Sequence, residues 1–547
     1  MRIVRPTGSP SNHRPASRTC SSTAFRWSAT AKSCPTDSLG DACSDGFPIH
    51  RKIVSKEDNV MTVQSLPEHP MLQGPFQPLH VEHELHDLPV VQGEIPRDIS
   101  GAYYRIGPNL KYRPQQGVYG FHMGDGMAYG LYLENGKAHF KNRWVKTPKL
   151  ALEDSLGRGA FEWEGGFPDH RNMGWERIQR SSENEGVPAG VANTNIVWQG
   201  NQLLAMGEDA VAPLVLDPES LTTTGIVNWS NQLGDGVTPR VNSEDGFFCA
   251  HPKIDPVTGE MFGYGFSTQE PYLTYYVVSA DGKLALKQDI DAPFPAYVHD
   301  MLLTETHVVI PLFPTTFRHE RVERQRCIMG WEPDLGTQIA VIPRSGGEVK
   351  WFEGDPCYVL HTGIAYAEDN KIVCVSPEFP VAAFPADGLE NTWQEFQKAV
   401  LTRWTLDLES GGMSKERLDD RSVEFPRMDE RLMGRDARYL FDIGSSDASG
   451  QIYEGFTSVI RYDLHAGASS AQHELPAGSY LSEAIFVPRR ENGPEGEGYL
   501  MLNVYHFNED KTDYVILDAE NLSSGPLATI ALPHRVPFTP HGNWRNA

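Results

Sequence analysis

Nineteen histidines punctuate this 547-residue sequence, and imidazole is the side chain best suited to binding a transition metal or moving a proton near neutral pH. Two groupings carry a local signal. His80, His83 and His86 follow one another at three-residue spacing beside Glu82 and Glu84. On a strand such residues point to opposite faces, so a shared metal there needs a helix, for which Pro78 and Pro89 leave little room. The second grouping is dispersed: His251 before Pro252, His299 before Asp300, His361 before Thr362-Gly363, and His541 before Gly542-Asn543-Trp544. Each lies at the end of a strand-like stretch beside a turn residue, where the loops of a β scaffold present ligands. Phosphate-binding, nucleophile-elbow and zinc-protease motifs are not found, and Gly124-Asp125-Gly126 lacks dinucleotide spacing.

The elements that must position these histidines read as strand, turn, strand. Ala128 to Leu133 turns at Asn135-Gly136 into Ala138 to Val145, the strongest short hairpin signal there is. Gly200-Asn201 and Asp281-Gly282 punctuate two further hairpins, and apolar runs recur at His307 to Leu312, Ile339 to Ile342, Ile372 to Val375, Tyr499 to Tyr505 and Tyr514 to Leu517. Gly388 to Val400 is the best helix candidate. The expected fold is all-β. Seven four-stranded blades over residues 75–547 would give a propeller with long loops, and a large sandwich fits the same pattern.

Composition bounds the partners. Lys and Arg number 48 against 72 Asp and Glu, a formal charge of -24, which excludes a phosphate-tracking nucleic-acid binder. Apolar residues at 39% and aromatics at 10% support a large core. The seven cysteines, at 20, 34, 43, 249, 327, 357 and 374, form no CxxC pair, so a reducing compartment is expected, the cytoplasm or a membrane surface. No run reaches the ~18 apolar residues needed to span a bilayer. Residues 1–60 stand apart, with ten Ser, nine Lys or Arg and five Asp or Glu. They read as a disordered tail or an upstream extension before Met61, with an organelle-targeting segment as the other reading.

Several stretches, taken together, resemble the carotenoid cleavage oxygenase family, whose members cleave carotenoids, apocarotenoids and stilbenes. They are Gly101 to Asn109, Gly124-Asp125-Gly126-Met127, Asn142-Arg143-Trp144-Val145, Ala192-Asn193-Thr194-Asn195, Leu216-Asp217-Pro218, Ala250-His251-Pro252, His299-Asp300-Met301, Trp331-Glu332-Pro333 and His541-Gly542-Asn543-Trp544. The resemblance runs from about residue 88 to the C-terminus. It implies a seven-bladed β-propeller with a loop and helix dome over one face. It also implies one non-haem Fe(II) per chain on the propeller axis, held by His251, His299, His361 and His541. Glu208, Glu424 and Glu483 match the carboxylates that orient these ligands, and Thr194 the residue facing the open iron site. The third-histidine segment departs from the family by carrying Ile364, which leaves His307 and His319 as alternatives to His361; His534 competes with His541, whose His-Gly-Asn-Trp ending fits better.

The implied activity is Fe(II)-dependent cleavage of a C=C bond by O2 to two carbonyls. Stilbene cleavers of the family resemble one another in a Lys before the first glutamate, where this sequence has Gly207. The phenol grip is missing at that position, so a carotenoid or apocarotenoid is the expected substrate, unless Lys146, Lys149 or Tyr119 supplies another clamp. Alkene cleavage on a stilbenoid or phenylpropanoid, retinoid isomerisation, or mere binding of an apolar ligand are the alternatives. Phe379 to Phe384 reads first as a buried core stretch, with a substrate tunnel wall or a peripheral membrane contact as the other readings.

Overall fold

The computed structural model describes residues 72–547 apart from 114–120, 165–176, 180, 209–211, 228, 230–247, 319, 322–327, 383–397 and 446–455. The chain divides into two units, 1–63 and 64–547, and every described residue belongs to the second.

Seven antiparallel sheets of four or more strands follow one another along the chain, which makes a seven-bladed β-propeller. In most blades successive strands are neighbours, as short hairpin turns dictate. The Asn135-Gly136 turn joins Asp125–Glu134 to Lys137–Trp144 with φ of 53° and 75°, the left-handed pair that a two-residue hairpin demands. The C-terminal strand His541–Asn546 pairs with Gly101–Asn109 of the first blade, His541 opposite Ile106. Gly542 permits that pairing, because a Cβ there would meet the Tyr104 carbonyl at 2.4 Å. The ring is thus closed by the same strand that carries the last candidate ligand.

Alternation of burial shows how each blade packs. Leu440 lies in a core cluster with Ile364, Val375 and Leu401 of the preceding blade, while Phe441 stacks on Phe486 of the next, 5.5 Å between centroids. An α-helix spans Pro148–Leu156, started by Thr147, whose hydroxyl accepts the Leu150 N–H, and stopped by Gly157 at φ 68°. Sequence periodicity does not single it out, since nine residues give too few turns for a clear stripe. The helix expected from Gly388 lies almost wholly outside the described residues, and Val400 begins a strand. Among the described residues no helix is long and apolar enough to cross a membrane. Phe379 and Ala382 are buried in the main core, Val381 packs partly buried against it, Pro380 is exposed, and residues 383–384 lie outside the described residues.

Candidate metal centre

Four segments from different blades deliver His251, His299, His361 and His541 to one point. All four are buried, and one ring nitrogen from each lies within 4.8 Å of the others. The Nε2 atoms of His299 and His361 are 3.1 Å apart. His251 packs against His299 and His541 with centroids 4.4 and 4.5 Å apart, and its Nε2 is buried with no hydrogen-bond partner.

Three carboxylates set the rings. His299 Nδ1 lies 2.5 Å from Glu208 Oε1, His361 Nδ1 2.6 Å from Glu424 Oε2, and His541 Nδ1 3.1 Å from Glu483 Oε1. A carboxylate accepts, so each Nδ1–H donates and each Nε2 keeps its lone pair. Two such lone pairs facing each other at 3.1 Å repel unless a cation lies between them. The donor set and its geometry therefore fit a metal that favours imidazole, such as Fe(II).

Burial and neighbouring charges set the rings apart. Burial, with the neighbouring imidazoles adding to it, holds His251 far below the ordinary histidine range, and burial pulls His541 down to about 4 despite Glu483. Burial also disfavours the charged form of His361, but Glu424 outweighs it and leaves His361 the more basic ring. Burial pushes Glu483 up, yet the Arg427 guanidinium outweighs this and holds it well below the usual carboxylate range.

The local chain explains the aim of Glu424. Between Glu424 and Arg427 the strand Val423–Met428 carries a bulge against its partner, and Phe425 sits at φ 52°. The extra residue re-aims the carboxylate, whose Oε2 also accepts the Phe425 N–H at 2.6 Å. The Phe425 ring then lies 4.4 Å from His361 and 5.5 Å from His541.

Thr194 stands just before the strand Asn195–Gln199 and donates its hydroxyl to Asn193 Oδ1 at 3.1 Å. The competing histidines fall elsewhere: His307 is paired with Thr306, and His534 stacks on His83 at 4.0 Å, so neither joins the quartet. His319 lies outside the described residues. Among the described residues His80, His83 and His86 form no metal cluster with their glutamates.

Two supporting residues carried no sequence signal strong enough to be singled out. Tyr297 donates its O–H to Glu208 Oε2 at 3.0 Å and lies 2.8 Å from His299 Nδ1; burial keeps the phenol neutral. Its place two residues before His299 in an extended segment, hence on the same face, was the available clue. Arg427 reaches Glu483 Oε1 at 3.0 Å, the Gly542 carbonyl at 3.1 Å and Asn543 Oδ1 at 2.8 Å, so it anchors both the carboxylate and the backbone beside His541. Tyr297→Phe removes a donor from Glu208, and metal affinity is expected to fall by up to about 10-fold, measured by chelator competition.

Residues 76–546 match the family model described as RPE65, retinal pigment epithelial membrane protein. The isoeugenol monooxygenase of Pseudomonas putida is 33% identical over 87% of this chain and 98% of its own length. The carotenoid 9,10(9',10')-cleavage dioxygenase 1 of Arabidopsis thaliana is 32% identical over 87% of this chain and 90% of its own. Among solved structures, a lignostilbene dioxygenase of Pseudomonas brassicacearum superposes with a TM-score of 0.77 at 30% identity, covering 88% of this chain and all of the other. With the propeller, the histidine quartet and its three carboxylates in place, these matches show that the chain belongs to the RPE65 or carotenoid cleavage oxygenase family.

Proposed function

We propose that the chain is an Fe(II)-dependent dioxygenase that cleaves a C=C bond of a carotenoid or apocarotenoid to two carbonyl products. The observation that supports it most is the convergence of four imidazoles, three of them held by buried carboxylates. His251, His299, His361 and His541 are the assigned ligands, Glu208, Glu424 and Glu483 their orienting partners, and Thr194 the residue facing the open side. Fe(II) bound there supplies the activation of O2 that a closed-shell alkene requires. The catalytic unit is the ring, residues 75–547.

The chain's own residues do the rest. The three Nδ1–H bonds fix tautomer and orientation, so the ligands need no rearrangement during turnover. Phe425 continues into an aromatic wall through Phe456 at 5.8 Å and Phe538 at 6.5 Å, with Phe76 5.8 Å beyond Phe538. Such a wall suits a polyene and keeps water from the reacting bond. The described cysteines Cys249, Cys357 and Cys374 are unpaired, which fits a reducing compartment such as the cytoplasm.

Cleavage of a stilbenoid or phenylpropanoid alkene is the second reading, favoured by the likeness to the isoeugenol and lignostilbene enzymes. The structure speaks against two candidate phenol clamps. Lys149 is buried between Asp125 at 2.8 Å and Glu153 at 2.7 Å, and Lys146 is paired with Asp154. Tyr119 lies outside the described residues. Turnover under 18O2 of a panel of apocarotenals and hydroxystilbenes decides: labelled aldehydes from the polyenes support the proposal, products from the stilbenes alone overturn the substrate class, and unlabelled product points to isomerisation.

A further inference from the structure

His251 differs from the other three histidines of the quartet. Among the described residues no carboxylate accepts a hydrogen bond from its ring, and its orientation must come from elsewhere. Two residues on, Lys253 places its ammonium 2.8 Å from Asp300 Oδ1, with side chains 13% and 3% exposed. Asp300 follows His299 directly. The same carboxylate accepts the Met301 N–H at 2.7 Å and, through Oδ2, the Thr362 N–H at 2.8 Å, and Thr362 follows His361 directly. The Thr362 hydroxyl closes the loop on the Met301 carbonyl at 2.6 Å. Behind Thr362, Gly363 lets the chain pass close, since a Cβ there would meet the Val375 carbonyl at 2.5 Å. One buried carboxylate thus joins the backbones beside His299 and His361 to the ammonium beside His251. Lys253, Asp300, Thr362 and Gly363 line a cavity of about 100 Å³ that also touches His251, His361 and His541.

Resting on the metal reading above, we propose that the Lys253–Asp300 ion pair is the positioning device for His251, in place of the glutamate the other three ligands have. A buried ion pair adds little net stability over an apolar pair, yet its geometry is directional, which is what a ligand without a carboxylate partner needs. Pro252, between His251 and Lys253, fixes one backbone angle, so the position of Lys253 is passed to His251 through a stiff link.

The test uses the full chain, stripped of metal and titrated with Co(II) alone, with the visible ligand-field bands as readout beside the dissociation constant. Lys253→Met is expected to weaken Co(II) binding by about 10- to 100-fold and to shift the bands, as loss of an outer partner does elsewhere. Lys253→Arg, which keeps the charge, is expected to bind as wild type. Because Lys253→Met alone leaves Asp300 buried without its partner, the double variant Lys253→Met with Asp300→Asn separates folding from positioning: no lone charge remains, and weak binding is expected to persist. Wild-type affinity and spectrum in Lys253→Met, recovery in the double variant, or a failing Lys253→Arg would each overturn the proposal. A wild-type protein that takes up no Co(II) would overturn the metal reading itself and this proposal with it, a result distinct from the others.

Discussion

His299→Ala is expected to leave a folded propeller that neither retains stoichiometric Fe(II) nor cleaves alkene at a measurable rate. Outer partners of metal ligands are worth about 10- to 100-fold, so losing a ligand outright should cost on the order of 100-fold or more in affinity. The fold should survive this change, because Glu208 keeps the Tyr297 O–H at 3.0 Å when the imidazole is gone. Iron content after anaerobic loading, product formation and the circular dichroism spectrum check the three parts separately. An enzyme with one iron per chain and undiminished turnover would remove His299 from the ligand set. Replacement of His307, which pairs with Thr306 outside the quartet, is expected to leave iron content unchanged.

The parts of this centre that the sequence made legible are those with a local signature. Asn135-Gly136 dictates its hairpin wherever it occurs, and the four histidines each sit in a short distinctive string although they are spread from 251 to 541. The choice of His541 over His534 rests on four residues; strand pairing with Ile106 carries His541 to the quartet, while His534 turns to His83. What could not be read was the contact across blades. Tyr297 meets Glu208 across 89 positions, Arg427 meets Asn543 across 116, and Lys253 meets Asp300 only because consecutive blades converge on one axis. No periodicity within one strand encodes which neighbour a ring closure will bring. The glutamates were legible as family matches, but the bulge that aims Glu424 depends on a one-residue offset against the partner strand.

Glu332 shows how far such support extends, and Glu332→Gln is expected to destabilise the protein by about 3–5 kcal/mol, the usual cost of stripping one partner from a buried charge. Arg321 is fully buried, and its Nη2 lies 2.6 Å from Glu332 Oε1. Arg318 adds bonds at 2.8 and 2.9 Å, and the Thr316 hydroxyl completes the clamp. Burial pushes the Glu332 carboxyl up, but these partners, Arg318 foremost, outweigh it and pull it from 4.5 to about 2. A carboxyl depressed in the folded state stabilises above its unfolded value and loses that contribution as pH falls through the folded one. The gap between wild type and Glu332→Gln should therefore be full near neutral pH, begin to close below about 4.5 and vanish toward about 2. Urea midpoints of the metal-free proteins at several pH values measure it, and a gap that does not narrow with acid refutes the assignment. The clamp also reaches the histidine quartet. It holds Thr316, which bridges to Ala296 beside Tyr297, and Tyr297 in turn donates its backbone N–H to the Thr315 carbonyl at 2.7 Å and its phenol to Glu208. Weakened metal binding in Glu332→Gln, restored by Glu332→Asp only if the shorter acid still reaches Arg321, would trace that line from the blade's edge to His299.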